Sequence, residues 1–248
     1  MSDKTSGRFA GFTKESFHFF HELARNNNKR WFDAHRDLYE THITGSFRSL
    51  LAELEPALLD LNPHFETSGR TNGNFSRINR DIRFSKDKSP YKSNYYLRVF
   101  DSRRSHQSDG CLYVGLSAEV LTVGFATYAS WRHGQKSALQ TVFAPRFRAH
   151  RAKFEDLLER VMHKGRFETY WHREEKGDWA QHAGLPRRAE DWLTLQGWVV
   201  RKVFRPSHAL SSPAFARKVA TIFRQLYPLY VFTSQSSPGW QRALRASL

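Results

Sequence analysis

The chain has 248 residues, of which 40% are hydrophobic, 25% charged and 15% aromatic. This composition is typical of a globular protein with a sizeable core, and it excludes an intrinsically disordered chain. No segment approaches the roughly 20 consecutive apolar residues of a membrane-spanning helix, so we expect no membrane partner. The net charge of +15 favours nucleic acid or small phosphorylated molecules as partners.

The sequence lacks the features of several common classes of protein. Residues 1–8 lack the apolar core of a signal peptide. The single cysteine, Cys111, excludes an internal disulfide, is expected to be a buried structural thiol, and favours a cytoplasmic location. The sequence has no phosphate-binding P-loop, no Gly-x-Gly-x-x-Gly dinucleotide motif and no Gly-x-Ser-x-Gly nucleophile elbow. We therefore expect no cofactor.

The N-terminal part, residues 12–62, has helical periodicity. Thr13 is placed to cap a first helix, and a second helix is expected to begin near Asn28. A third helix would carry a run of buried leucines, with Pro56 as a kink or a restart, and would end at Asn62.

The central part, residues 75–128, changes to patterns typical of β-strands. The predicted strands are Phe75–Phe84, Tyr95–Phe100, Leu112–Ser117 and Val120–Tyr128. The last two are close enough along the chain to form a hairpin through Ala118 and Glu119.

Residues 135–230 are predicted to be mainly helical, with one helix ending at Gly165 and another running from Pro213 to Pro228. Helices, then strands, then helices predict an α+β fold, in which an antiparallel sheet from the central third packs against N-terminal and C-terminal helices. No internal repeat or long linker divides the chain, so residues 1–248 are predicted to form a single domain.

Positive charge is concentrated between residues 70 and 104. This segment has three acidic residues, Asp81, Asp87 and Asp101, against ten basic residues, a net charge of +7. The basic residues are Arg70, Arg77, Arg80, Arg83, Lys86, Lys88, Lys92, Arg98, Arg103 and Arg104. Five aromatic residues are interleaved with them: Phe75, Phe84, Tyr91, Tyr95 and Tyr96.

A strand over residues 75–84 would place Arg80 on the same apolar face as Ile78 and Ile82. Burial of that face would carry the Arg80 guanidinium inward, where it needs an anionic partner from the protein or from a ligand. The opposite face would present arginines held by Asp81, an arrangement suited to a phosphate or carboxylate group.

The first functional hypothesis is a site for a small phosphorylated or carboxylated anionic ligand. Its predicted anion-binding residues are Arg77, Arg80, Arg83, Lys86, Lys88 and Lys92. If the site is catalytic, Asp81 or Asp87 would act as general base, and Tyr91 or Lys88 as general acid. The residues alone do not assign a reaction.

Two alternatives remain open. The positive charge and the interleaved aromatic residues also suit nucleic acid, through neutralised phosphates and stacked bases, although no standard nucleic-acid-binding motif is present. The basic segment could instead be an interface in a larger assembly.

Some other motifs have ordinary structural interpretations. His18 and Glu22 lie four residues apart on a helix beside His21, but the zincin order is absent, and no metal site is predicted. The stretch Gly69–Gly73 could form an anion-binding nest of backbone amides, but a simple turn is the more common outcome. The tryptophans are expected to pack in the core or at its edge.

The basic segment resembles a signature of a bacterial family, the domain-of-unknown-function family 2461. The signature residues are Arg77, Arg80, Asp81, Arg83, Phe84, Asp87, Lys88 and Tyr91. An earlier element is also similar to the family: Phe19, Phe20, Leu23, Asn26, Asn27, Trp31, Phe32 and Tyr39. The resemblance extends from about Phe12 to about Phe232 and implies no particular activity. It argues against the basic segment being incidental surface charge.

Overall fold

A six-stranded antiparallel sheet is the central feature of the computed structural model, which describes residues 8–83, 86–104, 109–129, 137–234 and 240–241. The strands are β1 (Asn94–Val99), β2 (Cys111–Ser117), β3 (Leu121–Tyr128), β4 (Glu168–Glu175), β5 (Asp178–Ala183) and β6 (Gly197–Phe204). They are ordered β1-β2-β3-β6-β4-β5 in the sheet. The fold is α+β, as the sequence predicts.

The helices come mostly before and after the first three strands. They are α1 (Lys14–Arg25), α2 (Lys29–Ala34), α3 (Arg36–Leu38), α4 (Ser46–Leu61), α5 (Ala144–Gly165), α6 (Ala189–Leu193) and α7 (Ala214–Thr233), with π-helical turns at Tyr39–Gly45 and Leu139–Phe143. Within the described ranges, none of them has both the length and the apolar character that crossing a bilayer requires.

The predicted N-terminal helices are confirmed. Thr13 occupies the N-cap position of α1, but its side chain accepts no capping hydrogen bond. The Asn28 side chain caps α2 by accepting a hydrogen bond from the Trp31 amide at 3.0 Å. Helix α4 passes through Pro56 without a restart and ends before Asn62.

The C-terminal helix does not end at Pro228, as its sequence predicts, but continues to Thr233. Its last turn is fully buried, and Arg146 Nη1 donates to the carbonyl oxygens of Val231, Phe232 and Ser234, each at 3.0 Å. A guanidinium that satisfies carbonyl groups at a helix end stabilises the final turn, so the proline does not terminate the helix.

Three of the four predicted strands are confirmed as β1, β2 and β3, with a turn at Ala118 and Glu119 between the last two. Strands β4, β5 and β6 were not predicted. Strand β4 and strand β5 form an exposed, polar hairpin with little alternation of apolar residues, so their sequence carries a weak strand signal.

One face of the sheet forms the main core. Helix α7 packs on β2 and β3, and α1 packs on β2. Trp198 of β6 is fully buried there, contacts Phe125, Phe154 and Trp192, and donates a hydrogen bond from Nε1 to Thr169 at 3.0 Å. The opposite face, which we call the open face, has a separate small cluster around Tyr113, Ala126 and Val199.

Candidate functional site

The first part of the basic segment lies beside β1 but is not a strand, so the predicted strand Phe75–Phe84 is wrong. Backbone bonds join Arg98 to Asn74 and Lys92 to Ile78, yet only isolated bridges form. One reason is that the Tyr96 amide donates a hydrogen bond to the Ser76 hydroxyl, at 3.0 Å, instead of to a backbone carbonyl of the neighbouring segment. Phe84 and Ser85 lie outside the described residues.

The predicted inward face is buried only at its beginning. Ile78 is buried, the Arg80 side chain is 28% exposed, and Ile82 is exposed to solvent. Arg80 forms an ion pair with Asp87, so a carboxylate of the chain itself already supplies its anionic partner.

The remaining basic residues of the signature loop, residues 77–91, point outward. Arg77, Arg83, Lys86 and Lys88 are all exposed. Arg83 donates from Nε and Nη2 to Asp81, at 2.9 and 2.7 Å, and Lys88 Nζ donates to the Ile82 carbonyl at 2.9 Å. These side chains do not converge on a common hollow.

The two carboxylates proposed as general bases are held in the charged form. Hydrogen bonds from the Arg83 side chain and amide lower the pKa of Asp81 to about 2. Hydrogen bonds from Ser89 and the charge of Arg80 lower the pKa of Asp87. A lowered pKa makes a carboxylate a weaker base, so both residues are better suited to holding the loop than to removing a proton.

Tyr91 anchors the end of the loop. Its ring is buried and stacks on Phe32 at a centroid distance of 4.2 Å. The Asn27 side chain accepts from the Tyr91 amide at 3.0 Å and donates to the Tyr91 carbonyl at 2.9 Å. The two segments that carry the family resemblance are therefore joined in space by side-chain to backbone hydrogen bonds.

Lys92 links the loop to the sheet and lies among other cations. Burial, followed by the charges of Arg98, Arg77 and Arg80, lowers the pKa of the Lys92 ammonium group. The pKa falls because like charges and desolvation both disfavour the protonated form. Excess positive charge thus gathers at β1 and extends onto the open face through Arg98.

A cavity of about 320 Å³ lies on the open face. Its size is at the lower end of the range for small-molecule sites. It is lined by Tyr96, Arg98, Asp109, Cys111, Tyr113, Thr122, Ala126, Tyr128, Tyr170 and Arg201. We call it the tyrosine pocket.

Glycines make room for the tyrosine rings. In the strand register, Tyr96 faces Gly115, Tyr113 faces Gly124 and Tyr128 faces Gly197. A Cβ atom on any of these glycines would collide with the ring of the paired tyrosine. Each ring can therefore lie flat over the neighbouring strand, and together the rings form the floor and walls of the pocket.

Two arginines belong to the same transverse row of the sheet. Positions paired across β1, β2, β3 and β6 are Arg98, Tyr113, Gly124 and Arg201. The Nε atoms of Arg98 and Arg201 are buried and have no hydrogen-bond acceptor among the described residues. The nearest carboxylate oxygen to Arg201 Nε is Glu168 Oε2, at 3.8 Å, beyond hydrogen-bonding distance.

The other polar groups of the pocket are mostly neutral donors. Burial raises the pKa of Tyr96, Tyr113 and Tyr128, so these phenols keep their protons at neutral pH. Cys111 is only partly buried and lines the pocket, rather than being fully buried as expected. Desolvation raises the pKa of its thiol to about 11, which keeps it protonated. Neutral O–H donors beside guanidinium groups can bind an oxyanion.

Asp109 is the carboxylate of this pocket. Its oxygens accept from the Gly110 amide at 2.9 Å and from the Ser234 hydroxyl at 2.8 Å. These bonds tie the carboxylate to the backbone before β2 and to the end of α7.

The sequence prediction missed the tyrosine pocket. Arg98 was counted with the basic segment but not among the anion-binding residues, and Arg201 was outside the segment. A usable signal is present in β1–β3, where one face is shared by the alternating positions Tyr96, Tyr113, Gly115, Gly124 and Tyr128. The other face is apolar apart from Tyr95 and Thr127. Strand pairing was needed to connect that signal with Arg201.

Two other motifs of the sequence can be placed in the structure. The Gly69–Gly73 stretch is a turn whose amides are used internally, with Gly69 donating to the Asn74 side chain at 2.9 Å and Gly73 to the Arg70 carbonyl at 3.1 Å. His18, His21 and Glu22 bring possible ligand atoms within 4.8 Å of one another on exposed α1. Glu22 already contacts His21 and Arg25 there.

Comparison with known proteins supports the resemblance in the sequence. The model of the family described as "Conserved hypothetical protein (DUF2461)" matches residues 15–232. No curated protein matches the chain. The match covers most of the 248 residues, including the signature loop, all six described strands and five of the seven described helices in full. The chain belongs to the DUF2461 family.

Proposed function

We propose that this protein binds a small phosphorylated or carboxylated ligand in the tyrosine pocket, with Arg98 and Arg201 as its anion-binding residues. The proposal retains the ligand class that the sequence suggests and moves the binding site from the signature loop to the open face of the sheet. A cytoplasmic location agrees with the single, protonated cysteine in the pocket wall.

The buried Nε atoms of the two arginines, which have no hydrogen-bond acceptor among the described residues, carry the proposal. The Glu168 carboxylate lies 3.8 Å from Arg201 Nε and forms only a long ion pair with it. A buried donor without an acceptor costs free energy, and the cost is larger when the donor is charged. The anionic groups of a ligand in the pocket would supply acceptors for these guanidinium groups. Because the described pocket residues include several neutral phenols, the ligand would also gain hydrogen bonds from O–H donors.

The signature loop has a supporting role in this proposal. Arg80 and Arg83 are paired within the loop, and Tyr91 anchors the loop to the N-terminal helices. Lys92 and Arg77 lie near Arg98 and add positive potential at one end of the pocket. Such potential raises the local concentration and the association rate of anions.

A second candidate, nucleic-acid binding, is favoured by the exposure of the loop cations. Arg77, Lys86 and Lys88 are accessible to phosphates of a strand that could not enter a cavity of about 320 Å³. Binding of this kind weakens steeply as the salt concentration rises, because it depends on counterion release.

The test is isothermal titration with inorganic phosphate, a nucleotide and simple carboxylates at about 0.15 M salt, where surface attraction is screened. At least one of Arg98→Met and Arg201→Met should weaken binding about ten-fold, because the variant removes a charge-assisted hydrogen bond. Arg83→Met removes a paired loop arginine and should leave the affinity within about two-fold.

Arg224→Gln, on an exposed position of α7, is the matched control for the loss of one positive charge. Equal weakening by Arg224→Gln and the pocket variants would indicate general electrostatic attraction and would contradict the proposal. Failure of every anion to bind at this salt concentration would also contradict it. Binding of long single strands with a steep salt dependence would support nucleic acid instead.

A further inference from the structure

The two pocket arginines are widely separated in the sheet. Arg98 on β1 and Arg201 on β6 occupy the same transverse row, three strands apart. With about 4.8 Å between neighbouring strands, their Cα atoms are roughly 14 Å apart. A single phosphate or carboxylate group is only a few ångströms wide, so this spacing favours two anionic groups rather than one.

The surroundings of Arg98 and Arg201 indicate that the tyrosine pocket has two separate anion-binding ends. The Arg201 guanidinium lies over the Tyr170 ring, with Cζ 5.1 Å from the ring centroid, on the side of the pocket next to β4. Its charge acts on Tyr113 and Tyr96 and reduces the rise in their pKa. Arg98 instead acts on Cys111 and Lys92, toward β1 and the signature loop.

The space between the arginines is aromatic. Tyr96 and Tyr113 contact each other edge to face at 6.0 Å, and Tyr113 occupies the transverse row between Arg98 and Arg201. At the far side, Tyr128 stacks with Trp179 at 6.4 Å. Aromatic walls of this kind bind flat rings well, through stacked and edge-to-face contacts.

We propose that the ligand of the tyrosine pocket is an elongated dianion with a flat aromatic middle, held at one end by Arg98 and at the other by Arg201. This inference rests on the proposed function and specifies its ligand. Tyr96, Tyr113 and Tyr170 contact the ring, and the phenol O–H groups donate to the anionic ends.

The experiment compares defined carboxylates by isothermal titration. Benzoate has one anionic end, benzene-1,4-dicarboxylate has two, and biphenyl-4,4′-dicarboxylate has two at a larger separation. The better of the two dianions should bind at least about ten-fold tighter than benzoate, the gain from one further charge-assisted contact. Trans-cyclohexane-1,4-dicarboxylate, with both charges but no flat ring, should bind at least about three-fold more weakly than its aromatic counterpart.

Substitutions of Arg98 and Arg201 test the two ends of the pocket one at a time. Arg98→Met and Arg201→Met should each remove the advantage of the dianion, whereas benzoate affinity should fall in only one of them. Arg98→Lys and Arg201→Lys keep the charge and serve as second variants if a methionine variant does not fold, as judged by its melting curve. They should retain part of the dianion advantage, because lysine cannot form the bidentate contact.

The outcomes distinguish the two proposals. Equal affinity for benzoate and both dianions, or equal losses of benzoate affinity in both arginine variants, would overturn the two-ended ligand and leave a single-anion site. Equal binding of the cyclohexane and benzene dicarboxylates would overturn the aromatic middle. If none of these compounds nor inorganic phosphate binds, both this inference and the proposed function fail.

Discussion

The signature loop and the tyrosine pocket both carry arginines, but the surroundings of these arginines differ. In the loop, Arg80 and Arg83 are paired with Asp87 and Asp81, and most of the other cations face solvent. In the pocket, Arg98 and Arg201 have buried Nε atoms without an acceptor in the described parts of the chain.

This difference shows that a high density of positive charge does not by itself locate an anion site. Exposed charges are stabilised by water and salt, and paired charges are satisfied by the protein. A partly desolvated charge that the protein leaves unsatisfied is the stronger indication of a ligand. The following predictions test whether the pocket and the loop differ in this way.

The largest effect is expected from Gly124→Ala, in the floor of the tyrosine pocket. Its new Cβ would lie 2.5 Å from the Val200 carbonyl oxygen and 2.9 Å from the Tyr113 ring. Overpacking against backbone should lower the free energy of unfolding by about 3 kcal/mol, measured by urea denaturation. Gly73→Ala, in the turn before the loop, is the control, since its nearest neighbour would be at 3.4 Å. Similar losses in both variants would contradict the tight packing of the floor.

The reactivity of the Cys111 thiol reports how far the pocket wall is shielded from water. Since desolvation raises the pKa of this thiol to about 11, alkylation by iodoacetamide at pH 8 should be about a hundred-fold slower than for an ordinary thiol. The rate should rise as the pH approaches 11. The same cysteine in the urea-unfolded chain is the control, and equal rates at pH 8 in the folded and unfolded chain would contradict a desolvated thiol.

Asn27→Ala should lower the stability of the protein without weakening ligand binding in the tyrosine pocket. It removes the two hydrogen bonds that hold the Tyr91 backbone, at 2.9 and 3.0 Å, and should lower the free energy of unfolding by about 2 kcal/mol. Asn28→Ala removes the cap of α2 and an exposed hydrogen bond to the Asn26 carbonyl, and should cost about 1 kcal/mol. Affinity for pocket ligands should change less than about two-fold in either variant. A ten-fold loss in Asn27→Ala alone would show that the loop takes part in binding.

The smallest effect is expected from Asp81→Asn, in the exposed ion pair with Arg83. At pH 7 the melting temperature should change by less than about 1 °C, because exposed pairs contribute little to stability. Asp81 has a folded-state pKa of about 2, below its ordinary value of 3.8, so its contribution is present above pH 4 and is lost as the pH falls toward 2. A large loss of stability at pH 7 would contradict the exposed position of this pair.

Local signals in the sequence were sufficient for much of the fold. Caps and helical periodicity identified α1, α2 and α4, and residues typical of strands identified β1, β2 and β3. Only β1 alternates in burial, whereas β2 and β3 are buried on both faces. The strand predicted over residues 75–84 failed because alternation records which side chains could be buried, not whether a regular hydrogen-bonded partner exists. Pro228 was misread as a helix end because the compensating contact, Arg146, lies far away in the sequence.

The sequence by itself determined the α+β class, the N-terminal helices, the first three strands and the family signature, since each depends on neighbouring residues. Only the tertiary structure decided which arginine Nε atoms lose water without gaining a hydrogen-bond acceptor. Arg98 and Arg201 are 103 positions apart in the chain and meet in one transverse row because β6 pairs with β3. Desolvation is a property of the folded surroundings, so no count of charges along the chain could have distinguished these two residues from the others.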